Sequence, residues 1–150
     1  MTETTETIER QAWMSTLAKA PAADLARLWD GLGLAPEHEM LRAPEVGAVM
    51  VRGRTGATGA PFNLGEMTVT RCSLRLGCGA VGHGYVQGRD KAHATTAALV
   101  DALMQTDEAD RVREGVVTPL TEALAAAKAQ RRAKAAATKV EFFTMQRGED

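Results

Sequence analysis

The residues of this chain best suited to chemistry are cations in its middle third. Arg71 and Arg75 stand four positions apart in MTVTRCSLRL, so an extended strand projects both from one face. Arg54 lies in the glycine-rich stretch before them. Arg89 and Lys91 flank Asp90 where GHGYVQG gives way to a helical pattern that carries His93. Guanidinium and ammonium groups at the mouth of a helix hold phosphate by charge-assisted hydrogen bonds, and the helix terminus adds to the field. Arg54, Arg71, Arg89, Lys91 and His93 are therefore the candidate contacts to a phosphate or nucleotide, or to a neighbouring subunit. The alternative is a solvated sheet face on which the cations pair with Glu45, Glu66 and Asp90. The local residues favour that alternative, and no catalytic set is assigned.

Other reactive groups are too scattered to form a site by type and spacing. Histidine is a common acid–base residue, but none of His38, His83 and His93 has a serine or cysteine and a carboxylate set around it as a triad. His38, in PEHEM, lacks the spacing of a zinc-binding helix. Cys72 and Cys78 are the only cysteines. Their spacing lacks a second ligand pair, so they read as two reduced thiols and no metal site is expected. The stretch from Gly53 to Gly65 reads as a long loop whose N–H groups can form an anion-binding nest. It carries no phosphate-loop lysine and opens no helix, so a mobile surface loop is the simpler reading.

These residues sit in a chain of 150, with 45% apolar and 25% charged positions. Such a length and balance indicate a single soluble domain over 1–150, with residues 1–8 expected to lack order. The formal net charge of -1 gives no general attraction to nucleic acid or an anionic membrane. The polar, acidic start has no signal-peptide pattern, and no apolar run approaches membrane-spanning length, so a cytoplasmic location is expected. A helical pattern from Glu9 to Pro21 carries Trp13, Met14 and Leu17. A second helix carries Leu25, Leu28, Trp29 and Leu32 and stops at Gly31 or Gly33. HEMLRAPEVGAVMVRGRTG then reads as two strands or one interrupted strand, because Ala43-Pro44 demotes its middle. MTVTRCSLRL and VGHGYVQG form a hairpin through GCGA. Asp90 caps a helix with two apolar faces, TDEADRVREG is a short polar helix or linker, and Thr118-Pro119 opens a last helix. Strands grouped between helices indicate an α+β fold: an N-terminal αα-hairpin, a central, mostly antiparallel sheet of about four strands, and C-terminal helices.

The last helix clusters Lys128, Arg131, Arg132, Lys134 and Lys139. A basic helix can grip nucleic acid, but no aromatic residues interleave to stack bases; a solvated helix with cations at its negative end is the simpler reading. Beyond it, the apolar tail of 140–147 holds Val140, Phe142, Phe143 and Met145, followed by Arg147. Two of the three phenylalanines stand here. Phe142, Phe143, Met145 and Arg147 are the candidate subunit contact.

RQAWMSTLAKA, GATGAPFNLGEMTVTRCSLRL, GHGYVQGRDKAHATTAALVDALMQ and VEFFTMQRGED, in that order, resemble the PhnG family, a subunit of the carbon–phosphorus lyase core complex of phosphonate degradation. The resemblance covers nearly the whole chain. It implies a cytoplasmic hetro-oligomer with the PhnH, PhnI and PhnJ subunits, and with PhnL in an ATP-dependent step. In that step a phosphonate displaces adenine from C1′ of ATP to give a ribose 1-phosphonate 5-triphosphate. It further implies that nucleosidase-type chemistry belongs to PhnI, and that PhnJ later cleaves the carbon–phosphorus bond with S-adenosylmethionine and an iron–sulfur cluster. This subunit is then required but non-catalytic, with no cofactor of its own. A subunit lending basic side chains to a shared phosphate-binding site is the alternative that the resemblance leaves open.

Overall fold

In the computed structural model the described backbone covers residues 2–146, with side chains through residue 139. Helix α1 (Thr2–Lys19) and helix α2 (Ala22–Leu32) form the expected αα-hairpin. Pro21 cannot continue α1, and its carbonyl accepts from the N–H groups of Asp24 and Leu25 to start α2. Gly33, at φ 65°, ends α2 and donates its N–H to the Asp30 carbonyl. Trp13, Leu17 and Leu25 are buried, whereas the first turns of α1 are exposed. That helix therefore takes in residues 2–8, ahead of its apolar stripe.

The sheet has three antiparallel strands, not about four, in the order β1 (His38–Arg54), β2 (Pro61–Leu76) and β3 (Val81–Gln87). The sequence reading splits at Ala43-Pro44, but the chain absorbs that dipeptide without ending the strand. Register shifts fall between Met40 and Arg42 and between Arg42 and Glu45. Pro44 thus sits at a bulge, where its missing N–H breaks no ladder bond. The long loop expected from Gly53 to Gly65 is likewise mostly strand. Only residues 55–60 turn, and the ladder resumes at Arg54 opposite Pro61. Glycines tolerated in a two-stranded ribbon, rather than a flexible loop, account for that composition.

Helix α3 (Lys91–Leu103) lies across one face of the sheet, and nine of its thirteen residues are buried. Asp90 caps it as expected, its Oδ1 accepting from the His93 N–H at 3.0 Å. Cys72, Leu74, Leu76 and Val86 supply the sheet side of the core. Leu17, Leu25, Val112, Val116 and Leu120 supply the other side, so α3 is covered on both faces. Contact with β3 is close because Gly82 and Gly84 have no side chains. A Cβ on either would lie 2.0 Å from a carbonyl oxygen of α3, Ala98 and Ala94 respectively. Ala94, Ala98 and Ala102 are the matching small residues on the helix.

The one fully buried carboxylate among the described residues, Asp101 of α3, ties this arrangement to α1. Arg10 donates to it twice, Nε to Oδ1 at 3.2 Å and Nη2 to Oδ2 at 2.8 Å. Trp13 Nε1 donates to Oδ1 at 2.8 Å, and the His83 N–H donates to Oδ2 at 2.9 Å. Four donors from α1 and β3 thus converge on one side chain, which offsets the cost of burying its charge.

A short helix α4 (Ala109–Val112) runs through a π-helical turn (Arg113–Val117) into helix α5 (Thr118–Gln146). The short polar helix or linker of the sequence reading is the first part of this continuous run. Thr16 Oγ1 of α1 meets Thr121 Oγ1 of α5 at 3.3 Å. Glu9 and Trp13 share a groove with Val117 and Thr118, and Ser15 and Lys19 share another with Leu124 and Arg131. The two helices therefore run side by side in the same direction. From Ala125 to Lys139 every residue of α5 is exposed.

Replacing Asp101 with Ala leaves Arg10, the Trp13 indole and the His83 N–H without their acceptor. A loss of about 3 kcal/mol in urea unfolding is expected. Gly84→Ala forces a methyl against the α3 backbone, and a loss of about 2–3 kcal/mol by the same measurement is expected. An unchanged unfolding midpoint in either variant contradicts the packing described.

Candidate functional site

The structure does not bring the five candidate cation and histidine positions into one cluster. Arg71 Nε donates to Glu45 Oε1 at 2.9 Å, and Arg42 Nη1 shares that oxygen at 3.1 Å. Arg75 Nη2 pairs with Glu39 Oε2 at 2.8 Å. The open sheet face is thus charge-balanced across β1 and β2, with Glu45 among the partners that the sequence suggested. Arg54 pairs in register with Pro61, ten positions along β2 from Arg71, which is about 30 Å at strand rise. Arg89 and Lys91 are exposed at the start of α3 and make no ion pair among the described residues. His93 points inward: its Nε2 donates to the Leu17 carbonyl at 3.0 Å, tying α3 to α1.

The remaining reactive groups serve the fold or stand apart. His83 Nδ1 lies 2.8 Å from Ser73 Oγ on the exposed face, and among the described residues no carboxylate hydrogen-bonds to the ring. His38 Nδ1 meets the Pro36 carbonyl at 3.1 Å. Cys72 is buried, and its Sγ donates to the Ala94 carbonyl at 3.2 Å. Burial pushes its thiol pKa up, so it stays protonated near neutral pH. Cys78 is exposed in the β2–β3 turn. Among the described residues no three His, Cys, Asp or Glu side chains are placed to hold a metal ion.

Two elements carry surface that the fold itself does not use. Strand β3 pairs with β2 only over Val69–Arg75. Beyond that, β1 and β2 continue as a two-stranded ribbon to the turn at residues 55–60. Met50 is 52% exposed, Phe62 44% and Leu64 62% on this arm. Leu64 is the extra residue of a bulge, since Val51 pairs with Gly65 and Arg52 with Asn63. A bare ribbon with exposed apolar side chains is marginal in water, and a covering surface would stabilise it. The second element is the exposed stretch of α5. Phe142, Phe143 and Met145 follow it, but their side chains, and Arg147 altogether, lie outside the described residues.

Phe62 and Leu64 were not singled out in the sequence reading, although they alternate in PFNLGEM. Glycine and proline neighbours hid that period. Asp101 was also missed, and its signal was a lone carboxylate in the otherwise apolar ALVDALM.

A fold whose polar groups satisfy one another, with a ribbon and a helix left uncovered, has the build of an assembly protein. Comparison with known proteins agrees. A family model described as "Phosphonate metabolism protein PhnG" matches residues 8–148. A protein of Rhizobium meliloti (strain 1021), "Alpha-D-ribose 1-methylphosphonate 5-triphosphate synthase subunit PhnG", is 44% identical over 142 residues, covering 95% of this chain and 91% of its own length. The chain belongs to the PhnG family.

The two thiols separate by burial. In native protein at neutral pH a thiol reagent should label Cys78 rapidly and Cys72 only after denaturant is added. Equal labelling rates would show that the α3–β2 contact opens readily.

Proposed function

We propose that this chain is a required, non-catalytic subunit of a phosphonate-processing synthase, the carbon–phosphorus lyase core complex, and that the β1–β2 arm is a main contact. The observation that carries this reading is the arm itself: an uncovered ribbon with Met50, Phe62 and Leu64 outward, in a chain whose open sheet face is already charge-balanced. Family membership supplies the setting, since the Rhizobium meliloti relative is named as a subunit of the synthase. On this reading PhnI carries the displacement of adenine from ATP by a phosphonate, with PhnH, PhnJ and PhnL in the same system. ATP, S-adenosylmethionine and the iron–sulfur cluster are handled by those subunits. No helix of the described residues is long and apolar enough to cross a membrane, which suits a chain that works among protein partners.

Co-expression of this chain with the PhnI subunit should yield a complex that survives size exclusion at micromolar concentration. Phe62→Asp combined with Leu64→Asp should leave the thermal midpoint of the isolated chain within a few degrees, because both side chains are exposed. The same variant should weaken co-purification by about tenfold or more, as expected for two apolar anchors placed in a buried interface. Clean separation of the wild-type chains would sink the reading. Undiminished co-purification of the variant would remove the arm from it.

A further inference from the structure

Four cations line one groove at the end of α1. The groove measures about 720 Å³ and takes Lys19 from α1 and Lys128, Arg131 and Arg132 from α5. No carboxylate lines it, and its other polar side chains are the hydroxyls of Ser15 and Thr16. All four cations are exposed, and the six ion pairs of the described residues lie elsewhere. The whole chain carries a net charge of -1, so this concentration of positive charge is local.

The packing of α5 on α1 creates the groove. Thr121 Oγ1 meets Thr16 Oγ1 at 3.3 Å, which sets one face of α5 against α1. Lys128 and Arg132 stand seven and eleven positions after Thr121, about two and three turns further along that face. Helix α1 ends at Lys19, so this stretch of the face lies beyond the end of its partner helix. Lys19 lines the groove from the α1 side. On α5, Arg131 and Arg132 follow Lys128 at i+3 and i+4, a spacing at which like charges repel. An anion that meets several of them at once relieves that repulsion.

We infer that the groove is a binding site for a chain of phosphates, such as inorganic tripolyphosphate or the 5′-triphosphate of a nucleotide. Lys128 and Arg132 are about 6 Å apart along the helix axis, so one short chain of phosphates spans them. The guanidinium forks of Arg131 and Arg132 match phosphate oxygens, and Lys19 and Lys128 add compact charges. An acidic peptide spreads its carboxylates over successive turns and brings less charge into that space. Nucleic acid needs a longer cationic track, and beyond Arg132 this face offers only Lys139. No histidine, cysteine or carboxylate lines the groove to act as a base or to hold a metal, so the site holds the phosphates without cleaving them. It is separate from the ATP-consuming reaction assigned above to other subunits. The inference goes beyond the subunit reading and is tested on this chain alone.

The full-length chain is titrated calorimetrically at low salt with sodium tripolyphosphate, orthophosphate and ATP. Tripolyphosphate should bind about tenfold or more tighter than orthophosphate, because it meets more of the cations at once, and should weaken as salt rises. Lys128→Ala combined with Arg131→Ala and Arg132→Ala should lower its affinity by about tenfold or more. Alanine favours helix, so circular dichroism should show unchanged helix content in this variant. Arg89→Ala with Lys91→Ala removes two exposed cations elsewhere and should leave binding as it was. ATP identifies the source of the phosphates. Binding tighter than tripolyphosphate assigns the site to nucleotides, with Leu124 and Ala125 offering apolar surface to the base; equal or weaker binding assigns it to inorganic chains. No binding of tripolyphosphate, an unaffected triple variant, or an equal loss in the Arg89 and Lys91 variant would each overturn the site. Duplex DNA bound by a chain that ignores tripolyphosphate would overturn it in favour of nucleic acid. Should the triple variant unfold, Arg132→Ala alone repeats the test: weaker binding is expected, and unchanged binding overturns the site.

Discussion

The Asp101 carboxylate is the group on which the packing of this protein turns. It is wholly buried, so it must find donors or destabilise the fold. The donors come from Arg10 and Trp13 of α1 and from the His83 backbone of β3. That set fixes where α1 crosses α3 and which residue of β3 faces the helix. Gly82 and Gly84 stand on either side of His83 and let the backbones approach closely enough for its N–H to reach Asp101. Carboxylate and glycines are one device: without close approach the hydrogen bond is lost, and without the hydrogen bond the buried charge is unpaired.

With its interior satisfied in this way, the chain exposes its surplus at two places. The β1–β2 ribbon extends past the last residue that β3 covers and carries apolar side chains into solvent. Helix α5 runs past the end of α1 with alanines and cations on every side. Neither element contributes more than its base to the hydrophobic core. Such elements are retained at a cost in solubility, and that cost is offset when a neighbour covers them. Assembly, rather than a pocket, is the functional theme of this fold.

The helices were legible because their apolar residues recur at helical spacing and their ends carry recognisable groups, as at Pro21, Gly33 and Asp90. The hairpin of MTVTRCSLRL and VGHGYVQG was legible from alternation alone. The strand count was not. Ala43-Pro44 reads locally as a break, yet a bulge accommodates it once β2 lies alongside. The stretch from Gly53 to Gly65 reads as a loop, yet outside the turn at residues 55–60 it is strand, because ladder hydrogen bonds outweigh weak local propensity.

The same division holds for the polar groups. Residue types alone established that this chain has no recognisable triad, cysteine cluster or phosphate loop, and the order of its segments indicated the PhnG family. Only the tertiary structure decided what each charge meets. It gave Arg71 and Arg75 to glutamates across the sheet, turned His93 inward to Leu17, and put Arg54 far out on the arm. It also set Thr16 of α1 against Thr121 of α5. A side chain's type is local, but its partner comes from elements dozens of residues away, brought near only when the core closes.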